Sequence, residues 1–137
     1  MNTNDLIYAA GFIDGEGCIT TCGSSAFRIT ISGTDRDVLD WFQDTFGGSV
    51  NDQHLPANVN HSMAWKWIMA RKKELNVFLK AIVPYLKIKD TQVNVVIGFL
   101  DKYPNCKTGR RRTPQEFADF AVVKTKLRAL KTDKHKR

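Results

Sequence analysis

Apolar positions in the chain recur at two spacings, and the switches between them mark out the elements. Leu6, Ile7, Ala10 and Ile13 fall three and four apart, which predicts a helix capped by Asn4, with Asp5 in its first turn and a stop at Gly15 or Gly17. Residues 18–22 then read as a strand and Gly23-Ser24-Ser25 as a turn. A second strand over 27–32 alternates cleanly, with Phe27, Ile29 and Ile31 on one face and Arg28, Thr30 and Ser32 on the other. Thr34-x-x-Asp37 resembles a capping box and opens a helix through Val38, Leu39, Trp41, Phe42 and Phe46, closed by Gly47-Gly48. Residues 49–53 and 63–70 form a further strand pair around a polar loop. Trp65, Trp67, Ile68 and Met69 leave the register of its second strand open.

Residues 72–83 are amphipathic through Leu75, Phe78, Leu79 and Ile82, and Pro84 stops them. A connector over 84–89 leads to a helix opened by Asp90 or Thr91, with Val93, Val96, Ile97 and Leu100 as its apolar stripe. After a basic loop at 105–112, Thr113-Pro114-Gln115-Glu116 supplies a cap, an early proline and a glutamate at the third helical position. Phe117, Phe120, Leu127 and Leu130 give that last helix its stripe, and 131–137 reads as a frayed basic tail. The order α-β-β-α-β-β-α-α-α fits an α+β domain with an antiparallel sheet on one side.

Charge sharpens the picture. The chain has 21 Lys plus Arg against 14 Asp plus Glu, a formal net of +7. Residues 1–50 hold 2 basic and 7 acidic side chains, net −5, and residues 51–137 hold 19 and 7, net +12. That split points to a polyanion-binding surface around a local group of carboxylates. No apolar run approaches the roughly 20 residues a membrane span needs, and 1–12 lacks the basic start and apolar core of a signal peptide. The expectation is a soluble intracellular protein of cytoplasm, nucleoid or organelle, not secreted and without a membrane partner. Cys18, Cys22 and Cys106 are odd in number and contain no CxxC pair, which argues against a disulfide framework or a zinc site.

The segment with most chemistry is Ala9-Ala10-Gly11-Phe12-Ile13-Asp14-Gly15-Glu16-Gly17. Small residues at 9–11 let a second helix approach closely. Asp-Gly-Glu-Gly sets carboxylates at the C-terminal tip of the helix, where the carbonyls carry about half a negative charge. A second carboxylate brought there is repelled unless a cation intervenes, and a hard, oxygen-seeking ion such as Mg²⁺ suits the position. Taken alone, Asp-Gly and Glu-Gly are also ordinary turn dipeptides.

The nine residues together resemble the signature of the LAGLIDADG homing endonucleases. The likeness continues through Asp35, the helix ending at Phe46-Gly47-Gly48, the strand at 65–71 and the run Pro84-Tyr85-Leu86-Lys87-Ile88-Lys89, covering roughly residues 5–103. It implies an αββαββα core over 1–103 with a saddle-shaped antiparallel sheet, followed within the same domain by the basic loop, C-terminal helix and tail of 104–137. It implies a metal-dependent endonuclease, intron-encoded in the manner of its family, that cuts both strands of a long pseudo-palindromic duplex site. One motif per chain implies a homodimer, packed through Ala9, Ala10, Phe12 and Ile13. Matching positions make Glu16, Lys89 and Asp14 the catalytic group, with Asp14 mainly structural. Glu16 and Gly15 are the metal ligands, for Mg²⁺ with Mn²⁺ or Ca²⁺ able to replace it in binding. DNA contacts fall to Arg28, Thr30, Ser32, Asn51, Gln53, Lys66, Arg71, Lys87, Arg110, Arg111 and Arg112. Lys87 and Lys89 share a side if their segment is extended. One departure stands out: Gly33 falls where the family often has a polar residue, leaving Ser32, Thr34 or Asp35 as substitutes and Asp35 equally a helix cap. That departure keeps open a binding-only member of the same fold, an intron maturase or transcription regulator. A small nucleic-acid chaperone would need the charge but not the motif.

Overall fold

The computed structural model describes residues 1–23, 26–52, 64–104 and 113–135. Its elements are α1 (Thr3–Glu16), β1 (Gly17–Cys22), β2 (Ala26–Gly33), α2 (Arg36–Phe46), β3 (Ser49–Asp52), β4 (Trp65–Met69), α3 (Lys72–Ile82), a 3₁₀ turn (Val83–Tyr85), α4 (Asp90–Lys102) and α5 (Pro114–His135). The predicted order is therefore present, with differences at the element ends. Asn2, not Asn4, caps α1, its side chain accepting from the Asn4 N–H at 2.8 Å. Asp35 caps α2 by accepting from the Val38 N–H at 3.3 Å, so Thr34 does not open that helix. The Thr113 hydroxyl accepts from the Glu116 N–H at 3.2 Å, as its motif requires. α5 continues to His135, so most of the tail expected to fray is helical.

The four strands form one sheet in the order β1-β2-β4-β3, antiparallel throughout. Alternation gives it two unlike faces. Ile19, Phe27, Ile29, Ile31, Trp67 and Met69 are buried on the inner face, beneath the helices. Thr20, Arg28, Thr30, Ser32, Lys66, Ile68, Ser49 and Asn51 take the outer one. The open register of β4 is settled by Trp67, which is fully buried and donates its indole N–H to the Gly47 carbonyl at 2.8 Å. A buried indole needs such a partner. Gly48 makes that close approach possible: its φ is +80°, and a Cβ there would lie 2.7 Å from the Ile68 carbonyl oxygen.

An aromatic seam runs under the sheet from Tyr8 through Trp41, Phe42, Trp67 and Phe78. Farther along, Phe120 of α5 stacks on Phe27 at 4.8 Å and meets Phe99 of α4. Phe120 and Leu127 are buried as expected, whereas Phe117 is exposed. Buried Lys72 ties three helices together. Its ammonium donates to the Tyr103 carbonyl at 3.2 Å, lies 3.8 Å from the Glu116 carboxylate and sits over the Phe99 ring.

Candidate nuclease site and nucleic-acid face

α1 ends at the rim of the sheet because Gly17 leaves the helix directly into β1. A Cβ on Gly17 would meet Ile13 at 2.9 Å, so only glycine follows so tightly. The exit leaves Gly15 and Glu16 exposed at the helix tip. Asp14, half-buried one turn earlier, has a different task. Its carboxylate accepts the backbone N–H groups of Lys87 at 2.8 Å, Ile88 at 3.2 Å and Lys89 at 3.0 Å. Its backbone carbonyl in turn accepts the Lys89 ammonium at 2.7 Å. Asp14 therefore gathers the segment carrying both lysines onto the end of α1. In this protomer its carboxylate is spent on positioning, which corrects its grouping with the catalytic residues. The segment is bent, not extended, since all three N–H groups converge on one carboxylate; the expectation that Lys87 and Lys89 share a side through an extended strand does not hold.

The sheet carries its polar groups up to this tip. Gly17 pairs with Ile31, so the next β2 residue, Ser32, is the outward-facing neighbour of the Glu16 position. Ser32 pairs with Lys66, and Lys66 with Asn51, forming one row across the sheet. Gly33 lies on the opposite, inner side of β2 and pairs with Trp65. The polar group ending the outer face of β2 is thus Ser32, and Asp35 is engaged as the α2 cap. Thr30 is 6% exposed and donates to the Cys18 carbonyl at 3.5 Å, so it is less accessible than its neighbours. Arg28 donates its Nε–H to the Thr20 hydroxyl at 3.3 Å. Sequence reasoning missed Thr20, although its alternation with Cys18 and Cys22 marks the same face. Arg71 is exposed just beyond β4, at the start of α3. Gln53, Arg110, Arg111 and Arg112 lie outside the described residues.

The expected pairing face of α1 needs correction. Ala9, Ala10 and Ile13 have no exposed surface, because they pack inward onto the protomer's own core. Phe12 is half-buried against Phe42, ring centroids 5.5 Å apart. Ile7 and Tyr8 are about half exposed, and Gly11 and Gly15 continue that outer stripe. A Cβ on either glycine would touch nothing within 4 Å in the protomer. The four-residue spacing of Ile7, Gly11 and Gly15 is the signal that identifies this face.

Among the described residues, no three His, Cys, Asp or Glu side chains cluster to hold a metal unaided. The oxygen donors at the α1 tip, the exposed Glu16 carboxylate and the Gly15 carbonyl, fit an ion that takes one or two protein ligands and keeps its waters. Together these features define a class: an α+β domain with a polar outer sheet face and a charged cluster at its rim.

Comparison with known proteins identifies the class further. No family model matches the chain. The chain is 27% identical over 146 residues to DNA endonuclease I-CreI of Chlamydomonas reinhardtii, covering 97% of this chain and 82% of that protein. The structure of homing endonuclease I-CvuI in complex with its target, in the presence of 2 mM Ca, matches with TM-score 0.73 and 22% identity, over 93% of this chain and 82% of that one. The I-LtrWI LAGLIDADG homing endonuclease bound to target DNA matches with TM-score 0.60 and 16% identity, over 92% of this chain and 44% of that one. The chain belongs to the LAGLIDADG homing endonuclease family.

Proposed function

We propose that this chain is a site-specific homing endonuclease that binds duplex DNA as a homodimer and hydrolyses a phosphodiester bond on each strand with a divalent metal ion. The observation that carries this reading is the α1 tip, where exposed Glu16 stands beside a lysine segment held by Asp14, at the rim of a polar sheet face. The similarity to an endonuclease along nearly the whole chain supports it. Glu16 and the Gly15 carbonyl would hold the ion, with Mg²⁺ the physiological choice. When bound, that ion lowers the pKa of a water and neutralises charge on the phosphate.

The chain's own residues do the rest. Lys89, held on the Asp14 carbonyl, brings positive charge to the tip, where charge develops on the phosphate during cleavage. Lys87 is exposed alongside it for phosphate contact. Arg28, Ser32, Lys66 and Asn51 present donors and acceptors to base edges, Arg favouring guanine and Asn adenine. Cutting both strands takes two such tips, supplied by two chains packed through the outer stripe of α1. The target then has matching two-fold symmetry. A DNA substrate puts the protein's work inside the cell, in cytoplasm, nucleoid or organelle. Among the described residues, no helix is long and apolar enough to cross a membrane.

Incubation with a randomised duplex library and Mg²⁺ tests the reading, with Glu16→Gln as control. Double-strand breaks at one sequence, abolished in the variant and by chelation, are expected. Sequence-specific binding with no cleavage by the unaltered protein would replace it with the binding-only reading.

A further inference from the structure

α5 approaches the outer edge of the sheet and leaves a groove beside β1. Thr20, Thr21, Lys124, Leu127, Arg128 and Lys131 line it, around a volume of about 160 Å³. Lys131 is the anchor: its ammonium donates to the Ile19 carbonyl and lies 3.8 Å from the Cys18 sulfur. Lys124 and Arg128 are one helical turn apart on the same groove wall. Neither makes an ion pair with a described carboxylate.

Charge along α5 is divided. Its acids, Glu116 and Asp119, lie in the first two turns, where they bind Lys72 and Lys102 of the neighbouring helices. From Phe120 to Thr132 the helix has Lys124, Lys126, Arg128 and Lys131 and no acid. Across the groove, Thr20 belongs to the outer sheet face and accepts from Arg28. Positive charge therefore runs without interruption from the polar sheet face, past Thr20, onto α5.

We infer that the β1–α5 groove is a phosphate track that extends the DNA-binding surface beyond the sheet, with Lys124 and Arg128 as its contacts. This inference rests on the duplex-DNA reading above. Four residues of helix advance about 6 Å, close to the roughly 6.8 Å that two nucleotides advance along a strand. Two cations at this spacing match alternate phosphates of one strand. Such contacts add affinity and salt dependence without reading sequence.

The test uses the full chain and a short random-sequence duplex, in chelator, over about 50 to 200 mM salt. The double variant Lys124→Ala/Arg128→Ala should reduce the slope of log K against log salt by about 1.8, or 0.9 for each lost contact. Across that salt range the unaltered protein then loses about 12-fold more affinity than the variant. Lys126→Ala, exposed but away from the groove lining, should leave the slope unchanged. Thermal melting checks that both variants fold; should the double variant fail, the charge-neutral pair Lys124→Gln/Arg128→Gln replaces it. An unchanged slope in a folded groove variant overturns the track, as does an equal loss in Lys126→Ala. Failure of the unaltered protein to bind the duplex overturns the underlying DNA reading instead.

Discussion

Truncating Asp14 to alanine separates positioning from chemistry at the α1 tip. Three N–H groups lose a charged acceptor, at 2.8, 3.2 and 3.0 Å. A hydrogen bond to a charged group contributes about 1.5–3 kcal/mol when buried. Lys87 and Ile88 are exposed, so their N–H groups regain water and each loss costs about 0.5 kcal/mol; the half-buried Lys89 N–H costs about 1.5 kcal/mol. The sum is about 2.5 kcal/mol for Asp14→Ala. Asp14→Asn keeps an oxygen for Ile88 and Lys89 but turns an amide donor toward the Lys87 N–H, which costs about 1 kcal/mol. Urea denaturation of both variants measures these differences. In cleavage assays on the selected target, kcat should fall far more than KM rises. The Lys87–Lys89 segment loses its tether while the DNA-contacting sheet is untouched, and a displacement of about 1 Å at a reacting centre costs about 100-fold in rate. Full stability and full kcat in Asp14→Ala would refute the clamp. A rise in KM with kcat unchanged would place Asp14 in substrate binding instead.

Two further outcomes follow from the same coordinates. Gly11→Arg adds its side chain where the protomer has open space, so melting should be little changed while sedimentation velocity shows monomer and double-strand cleavage is lost; an intact dimer would move the pairing face elsewhere. The contact between α4 and α5 should weaken at both pH extremes. Hydrogen bonds from Lys102 and then Tyr103 hold the Asp119 carboxyl below its usual 3.8, so its stabilisation is present above that value and fades as pH falls below it. The same carboxylate raises Lys102 and Tyr103 above 10.5 and 10.0, so their stabilisation is present below those values and is lost as pH climbs past them. Asp119→Asn should flatten the stability profile at both ends in pH-dependent thermal melts.

Strand β2 was legible because one face is uniformly apolar and the other uniformly polar, and the α5 start because three capping signals coincide. The inward turn of Ala9 and Ala10 was not. Alanine has little preference for burial, and α1 has apolar residues on both sides, Ile13 within and Ile7 without, so hydrophobicity alone does not distinguish the protomer's core from an outer surface. The β4 register was hidden for another reason. It depends on an indole reaching the Gly47 carbonyl, 20 residues earlier in the chain. The bend at 87–89 depends on Asp14, more than 70 residues away, and nothing in the local run of Pro84 to Lys89 announces it. Within the candidate site, residue types were legible from the motif, while the division between Glu16 at the tip and Asp14 as a clamp required tertiary contacts.

The Lys131 clip on the Ile19 carbonyl bears on how the molecule keeps company with its own kind. An open sheet presents two unpaired borders, and each is a template onto which another chain can add a strand. Here α5 is fastened along one border, with a cation lodged where an incoming strand would seek a carbonyl. The other border is β3, only four residues long, too short to reward such addition. Assembly by uncontrolled sheet growth is thereby discouraged on both sides, and a chain made in quantity is left with its helical surface as the route to ordered association.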